Sequence, residues 1–199
     1  MVFVDTGLVD GTHNQLLNWR EESTLPIQVC DKPGAYPGSA RNLGVTKAKQ
    51  DWIAFLDVGT VPKSDWLGAL WQCRQNADSV SVYGCCRFDS EDTLGRMLCA
   101  ASYGVDRLLP VLPASLFQRE VFQRAGWFEE QLRAGEDILW KNALQNADIA
   151  LPVCEQAVVE YRHFAPSLWQ AIRKQYVYEQ SAAVAGVGFR MPGSGTTHA

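Results

Sequence analysis

The sequence predicts an α/β fold in which a mostly parallel sheet is covered by helices on both faces. Segments of strand composition alternate with segments of helical pattern from the first residues to about residue 183. One segment, WIAFLD at residues 52–57, is apolar up to its last residue and has helical patterns on both sides. A continuous apolar strand in this setting is typical of a parallel sheet that is buried on both faces.

The first half of the chain contains three predicted strands and three predicted helices. The strands are residues 2–4, 27–30 and 52–57. The helices begin near Thr12, Ser39 and Ser64. A hydroxyl at each of these positions can cap the free amide groups of the first helical turn. The first helix is expected to end near Glu22, and a loop rich in glycine and proline precedes the second.

The second half continues the alternation and then changes in composition. Predicted strands are residues 79–88, 114–118 and 157–164. Predicted helices are residues 91–104, 119–128, 136–147 and 167–183, the second of them closed by Gly126. The last residues, 184–199, are rich in glycine, serine and threonine, and we expect them to be disordered. We therefore predict one domain over residues 1–183.

Composition excludes several classes of function. The chain has 199 residues, a net charge of −4 and no cluster of lysine and arginine, so a nucleic-acid partner has no electrostatic support. No apolar run approaches the roughly 20 residues that cross a bilayer, and no signal peptide is recognisable. Six cysteines without a CxxC pair predict reduced, mostly buried thiols in a cytosolic protein.

Three motifs occur in order along the chain. They are VDTGLVDGT at residues 4–12, GSARNLGVTKAKQDWIAFLDVGTVPKSDWL at 38–67 and SLFQREVFQRAGWFEEQLRAGEDILWKNAL at 115–144. They resemble the motifs VDDGSTDGT, AARNxGIxxAxGEYIAFLDADDxPxPDWL and xxxRRExFExVGGFDExLxxGEDxDLxxRL of family 2 glycosyltransferases. The resemblance extends over roughly residues 2 to 180.

The resemblance implies a GT-A-like fold and a transfer reaction. The implied donor is a UDP- or GDP-sugar, the acceptor is a hydroxyl of a saccharide or a lipid-linked molecule, and the configuration at the sugar is inverted. Members of the family often build lipid-linked or surface polysaccharides at the inner face of the membrane. The expected location is therefore cytoplasmic, with peripheral association with the membrane.

Asp57 has two interpretations. By resemblance it is the first acid of an Asp-x-Asp motif that holds Mg²⁺ or Mn²⁺ on the donor diphosphate, because a hard cation neutralises the charge that leaves with the phosphates. The second acid is absent, since Val58 and Gly59 follow. His163, after the last predicted strand, stands where many relatives have a further metal ligand. The alternative is that Asp57 only ends a strand in a turn.

The resemblance assigns the catalytic base to the GEDILW motif. Asp137 is the predicted base, which removes the proton from the acceptor hydroxyl as that oxygen attacks the anomeric carbon. Glu136 is expected beside it, in contact with hydroxyl groups of donor or acceptor. The alternative is that both acids only favour the first turn of a helix through its dipole.

Three further residues are candidates for donor binding. Asp5 matches the acid that contacts the base or ribose, although Thr6 replaces the acid that usually follows it. Arg41 presents a planar, permanently charged group that suits a uracil ring or a diphosphate. Arg173 on the last predicted helix is placed to close over the diphosphate. Each is also explained as an ordinary turn or surface charge, and Asn42 is expected to brace its loop.

The chain begins at what would be the second strand of the family. A missing central strand would leave backbone groups without partners, at a cost of about 1–3 kcal/mol each. Three explanations remain open: a truncated chain, direct pairing of strands 2–4 and 52–57, or a strand donated by another chain, as in a homo-oligomer. The same feature supports a rival function, a non-catalytic binding or scaffold domain. A nucleotidyltransferase is disfavoured because residues 1–20 contain no basic phosphate loop.

Overall fold

The computed structural model describes residues 1–7, 9–104, 107–162 and 167–186. The strands in these ranges are β1 Val2–Asp5, β2 Gln28–Asp31, β3 Trp52–Ala54, β4 Thr60–Pro62, β5 Ser81–Phe88, β6 Leu108–Gln118 and β7 Val153–Tyr161. The helices are α1 Thr12–Glu22, α2 Pro37–Lys47, α3 Trp66–Ala77, α4 Thr93–Tyr103, α5 Glu120–Ala125, α6 Glu136–Asn146 and α7 Leu168–Ala185.

The strands form two sheets. β1 and β2 pair in parallel, and the other five follow the order β3-β6-β5-β7-β4. In the larger sheet β5 and β7 are parallel, whereas β3–β6, β5–β6 and β4–β7 are antiparallel. The α/β class is confirmed, but the strand directions differ from the mostly parallel sheet that was expected. The strands are apolar because both faces of the sheet are covered, and that does not require them to be parallel.

Two hydrophobic cores cover the two faces of the larger sheet. Val82 and Tyr83 are neighbours on β5, and they belong to different cores because successive side chains of a strand point to opposite faces. One core contains Trp66 and Leu70 of α3. The other is rich in aromatic rings and contains Trp140 of α6. The second core fixes α6, the helix that carries the predicted base.

Element positions agree better with the sequence than element ends do. β4 was not predicted, and β6 begins six residues before the predicted strand. The three predicted caps are wrong, since the residues before α1, α2 and α3 are Gly11, Tyr36 and Asp65. In α2 the helix starts earlier because Pro37 occupies the first position, where its fixed φ suits a helix. Ser39 is left free to bind elsewhere.

β1 and β3 do not pair with each other. Among the described strands β1 pairs only with β2, and β3 pairs only with β6. A groove of about 710 Å³ lies between the two strands, lined also by α2. Direct pairing, which was one explanation for the absent family strand, is therefore wrong.

All six cysteines are free thiols, as predicted, and five of them are buried. Burial raises the pKa of Cys85 to about 11 and that of Cys86 to about 12. Both thiols therefore stay protonated at neutral pH, which fits a structural part in the core.

α7 ends at Ala185, two residues beyond the predicted domain boundary. The predicted tail lies mostly outside the described residues. No helix in the described part of the chain is both long and apolar enough to span a bilayer.

Gly38 fixes the distance between α2 and the segment before α6. A Cβ added at Gly38 would lie 2.0 Å from the carbonyl oxygen of Glu129, which no real contact allows. We expect Gly38→Ala to lower the free energy of unfolding by about 1–3 kcal/mol, since backbone must move to relieve the clash. Urea denaturation measures the change.

Gly68→Ala is the matched control. Gly68 lies in α3 and nothing is within 4 Å of its added Cβ, so this variant should be neutral or stabilised by up to about 1 kcal/mol. Equal loss of stability in both variants would show that the contact with Glu129 is not tight.

Candidate active site

Arg41 lies at the centre of a cluster of charged side chains. It projects from α2, and its guanidinium donates two hydrogen bonds to Asp57, at 3.0 Å to Oδ1 and 2.9 Å to Oδ2. The other terminal nitrogen donates to Oε1 of Glu136, the first residue of α6. Three segments far apart in sequence therefore meet at one arginine.

The burial of these groups differs. The side chain of Arg41 is 12% exposed and that of Glu136 is 5% exposed, whereas that of Asp57 is 43% exposed. Burial opposes the charge of Arg41, but attraction by Asp57 and Glu136 outweighs it and raises the arginine pKa. Burial raises the pKa of Glu136 above its usual range, against the opposing effect of Arg41. Asp57 is therefore the acid of this cluster that a ligand can reach.

Asp57 also forms a turn. Its carbonyl oxygen accepts hydrogen bonds from the amide of Thr60 at 3.2 Å and from the hydroxyl of Thr60 at 2.6 Å. Gly59 within the turn has a φ of 87°, which favours glycine. The turn occupies only the backbone of Asp57 and leaves its carboxylate to face Arg41, so the turn is observed and metal binding by the carboxylate stays a prediction.

The aromatic core fixes the start of α6. The ring of Trp140 stacks on Phe122 with centroids 5.0 Å apart, and its Nε1 donates to the carbonyl of Gly126 at 2.9 Å. This packing holds the first turn of α6 beside α2. Asp137 is half-buried in that turn and accepts a hydrogen bond from the amide of Ile138 at 2.9 Å.

Asn42 connects α2 to the segment before α6. Its side chain donates to the carbonyl of Phe128 at 3.0 Å and to Glu130 at 3.0 Å, and its oxygen accepts from the amide of Phe128 at 3.1 Å. Ser39 donates to the same glutamate at 3.1 Å. These bonds brace the loop, as expected for Asn42, and they hold Arg41 at a fixed position relative to α6.

Asp5 belongs to a second polar cluster. It is buried at the end of β1, where it accepts a hydrogen bond from the amide of Gly7 at 2.9 Å. The Nδ1 atom of His13 lies 2.9 Å from Asp5 and 3.2 Å from Asp31. Within the described ranges, these three residues form the group whose ligand atoms are close enough to hold a metal ion.

The last helix brings a basic side chain and aromatic side chains near the site. The Nζ atom of Lys174 lies 5.8 Å from the ring centre of Tyr161 and 5.5 Å from that of Tyr178. Burial raises the pKa of Tyr178, and the charges of Glu136, Asp137 and Asp57 contribute to the rise. Tyr178 therefore lies within electrostatic range of the acids of the Arg41 cluster.

Comparison with known proteins identifies the fold that carries this site. The sequence profile of glycosyl transferase family 2 matches residues 1–130, which is most of the chain and includes Arg41 and Asp57. The chain belongs to glycosyl transferase family 2.

Solved structures similar to this family 2 chain are glycosyltransferases of the GT-A type. The mannosyltransferase PcManGT from Pyrobaculum calidifontis, solved with GDP-Man and Mn²⁺, has a TM-score of 0.64 and 18% identity, with 96% of this chain and 56% of that chain covered. S. aureus TarS, solved with UDP-GlcNAc, has a TM-score of 0.62 and 16% identity, with 83% and 50% covered. The expected GT-A-like fold is confirmed.

The family 2 chain spans only about half the length of these neighbours. No curated protein matches it.

Four of the predicted site residues lie together in this fold. Arg41, Asp57 and Glu136 are in direct contact, and Asp137 is next in sequence to Glu136. Asp5 lies in the second cluster, and Arg173 is exposed on α7. His163 lies outside the described residues, so its predicted part in metal binding stays a prediction.

Two contacts of the family 2 chain were not predicted. His13 showed no context in sequence, yet it bridges two acids at the ends of β1 and β2. Parallel strands place their last residues side by side, so the sequence could have indicated that the two acids lie close together. Glu136 was expected to contact hydroxyl groups, and here its carboxylate is turned inward to Arg41.

A divalent cation fits the chemistry of Asp57. Mg²⁺ is usually held by one or two carboxylates together with phosphates of the substrate, so the absence of a second acid does not exclude it. The side chain of Asp57 is exposed enough for a cation to approach. Arg41 contacts both of its oxygens, and a bound cation would have to share or replace these contacts.

Proposed function

We propose that the protein is an inverting glycosyltransferase that moves a sugar from a UDP- or GDP-sugar to an acceptor hydroxyl. The observation that carries the proposal is the meeting of Arg41, Asp57 and the first turn of α6 in a family 2 fold. A charge that can face a diphosphate and a carboxylate that can act as base then lie on adjoining elements. Neighbouring structures that hold UDP-GlcNAc and GDP-Man support the class of donor.

Arg41 and Asp57 serve the donor in this proposal. The guanidinium is fixed by two acids, so it offers a permanent positive charge without a large entropic cost when an anion arrives. Asp57, together with His163, would hold Mg²⁺ or Mn²⁺, which would neutralise charge on the departing diphosphate. Asp5 would contact the nucleoside, and Arg173 would approach the phosphates from α7.

Asp137 acts as general base in this proposal. A carboxylate oxygen removes the proton of the acceptor hydroxyl while that oxygen forms a bond to the anomeric carbon. The bond from this carbon to the phosphate oxygen breaks on the opposite side, and the nucleoside diphosphate leaves with the electron pair. Glu136 is buried against Arg41 and acts as a positioning residue.

The last helix supports a lipid-linked acceptor or a membrane surface. Leu168, Ile172 and Tyr176 are four residues apart and therefore share one face of α7, and each is more than half exposed. Trp169 beside them is 73% exposed. Exposed apolar residues grouped in this way are typical of contact with lipid or a partner.

A second candidate is a domain that binds a nucleotide-sugar without transferring it. Within the described part of the chain the facing edges of β1 and β3 are unpaired, and this favours the second candidate because unpaired strand edges would loosen the site. Transfer and binding must therefore be measured separately.

Calorimetric titration of UDP and GDP, with and without Mn²⁺, tests the proposal. We expect saturable binding that is at least tenfold tighter with Mn²⁺, and release of UDP or GDP from the matching sugar donor when an acceptor is present. Binding without turnover would support the second candidate, a domain that binds a nucleotide-sugar without transferring it. No binding to a chain that unfolds cooperatively would refute both candidates.

A further inference from the structure

The side-chain hydroxyl of Tyr83 is buried without a hydrogen bond. Tyr83 lies on β5 within the aromatic core and is 3% exposed, and its hydroxyl oxygen has no partner among the described residues. In the same part of the chain the Nε atoms of Arg41 and Arg74 are also buried without a partner, but each belongs to a guanidinium with two further nitrogens. The hydroxyl is the whole polar part of the Tyr83 side chain.

Packing alone does not account for a tyrosine at this position. An unpaired buried hydroxyl is destabilising, and phenylalanine would fill the same space without that cost. The same core holds Phe117 and Phe122, and Phe117 packs edge to face on Tyr83 with ring centres 5.6 Å apart. Buried polar groups without a partner in a native structure are often explained by a functional contact. The surroundings of the hydroxyl show which contact is available.

Tyr83 lies beneath the face of α6 that carries Asp137. The Nζ atom of Lys141 lies 5.6 Å from the ring centre of Tyr83. Lys141 follows Asp137 by four residues on α6, so the two side chains share one face of the helix. Asp137 therefore lies on the face that covers Tyr83, one turn closer to the start of the helix.

The charges confirm that Tyr83 and Asp137 are close enough to interact. Burial raises the pKa of Tyr83, and the negative charge of Asp137 raises it further. The hydroxyl therefore keeps its proton at neutral pH and can donate it in a hydrogen bond. The Oδ1 atom of Asp137 accepts from the amide of Ile138 at 2.9 Å, and among the described residues its other oxygen accepts no hydrogen bond.

We propose that Tyr83 is a positioning residue for Asp137, and that its hydroxyl donates a hydrogen bond to this carboxylate when donor and acceptor are bound. The inference rests on the proposed part of Asp137 as general base. Hydrogen bonds of a catalytic group are often long in the free enzyme and tighten in the complex with substrate. Tyr83 would keep its own proton, and the proton of the acceptor hydroxyl would pass to Asp137.

A donor behind the base has two effects on the reaction. It fixes the direction of the carboxylate, which has to lie within hydrogen-bond distance of the acceptor hydroxyl. It also favours the charged form of the carboxylate, which is the form that accepts a proton. Removal of the hydroxyl should therefore change both the rate of transfer and its dependence on pH.

Other titratable or charged groups near Asp137 come from α2, α6, α7 and the turn after β3. They are Arg41, Glu136, Lys141, Tyr178 and Asp57. All of them remain when Tyr83 is replaced by phenylalanine. A difference in pH dependence between the two chains therefore belongs to the hydroxyl.

The pH dependence of transfer by Tyr83→Phe tests the inference. The reaction is release of UDP from UDP-GlcNAc or of GDP from GDP-Man, with Mn²⁺ and with water or an alkyl glycoside as acceptor. We expect kcat to fall by about 10- to 100-fold, the usual effect of losing a hydrogen bond to a charged group. The acid limb of the pH profile should move to higher pH by about half a unit or more.

Two further measurements separate positioning from a structural part. The KM for the donor should stay within about threefold, because an effect through the base is confined to the chemical step. The melting temperature should not fall, because the hydroxyl has no partner to lose in the described part of the free chain. In the Asp137→Asn background, Tyr83→Phe should cause no further loss of rate, because the residue through which it acts is already removed.

Tyr36→Phe is the matched control. Tyr36 is exposed ahead of α2, so removal of its hydroxyl should leave the rate and the pH profile unchanged. A Tyr83→Phe chain with the rate and pH profile of the unaltered chain would overturn the inference and leave the proposed function standing. A lower melting temperature with an unmoved acid limb would also overturn it, because the hydroxyl would then serve the fold. Full transfer by Asp137→Asn would refute the base and the inference together.

Discussion

Asp137→Asn is expected to lower the rate of sugar transfer by about 100- to 10,000-fold, the usual contribution of a general base. Asparagine keeps the shape of the side chain and can still accept the hydrogen bond from Ile138. It cannot take a proton from an acceptor hydroxyl. Binding of UDP, measured by calorimetry, should stay within about threefold, because Asp137 does not contact Arg41 in the structure.

Glu22→Gln provides the matched control for this variant. Glu22 is exposed at the end of α1, so removal of its charge should leave transfer unchanged. The base assignment would be wrong if Asp137→Asn retained more than a tenth of the transfer rate. It would also be wrong if binding fell as much as transfer, since a base acts only on the chemical step.

The sequence predicted the order of elements better than the pairing of strands. β6 reads as an apolar strand like any other, and nothing local shows that it enters the sheet between β3 and β5 in the opposite direction. Pairing is decided by contacts between distant segments, such as Ile53 with Phe117, which a pattern of neighbouring residues does not contain. The period of the apolar residues and the composition therefore predict that a strand exists, but they do not predict which strands pair with it.

The site was predicted in part for a similar reason. Arg41, Asp57 and the pair Glu136–Asp137 stand in motifs, and the motifs marked each of them as a candidate site residue. The motifs did not predict that Glu136 would turn inward to Arg41, because this depends on the packing of α6 against α2. His13 lies outside any motif, and its contact with Asp5 arises only when β1 and β2 pair.

Arg41→Ala is expected to lower the free energy of unfolding by about 3–5 kcal/mol at pH 7. Removal of one partner leaves the Glu136 carboxylate, which is only 5% exposed, as a buried charge without a counter-ion. Urea denaturation measures the loss. The double variant Arg41→Ala with Glu136→Gln should recover a large part of it, because no buried charge remains, and Glu136→Gln alone serves as the reference for the cycle.

The pH dependence distinguishes this cause from a simple loss of packing. Burial already raises the pKa of Glu136 above 4.5, and Arg41 opposes the rise, so its removal raises this pKa further. The folded chain then binds more protons than the unfolded chain above about pH 4.5, and stability must fall as pH increases through this range. The deficit of Arg41→Ala should therefore shrink between pH 8 and pH 5. A deficit that is constant with pH, or that persists in the double variant, would mean that Arg41 stabilises the site by packing rather than by charge.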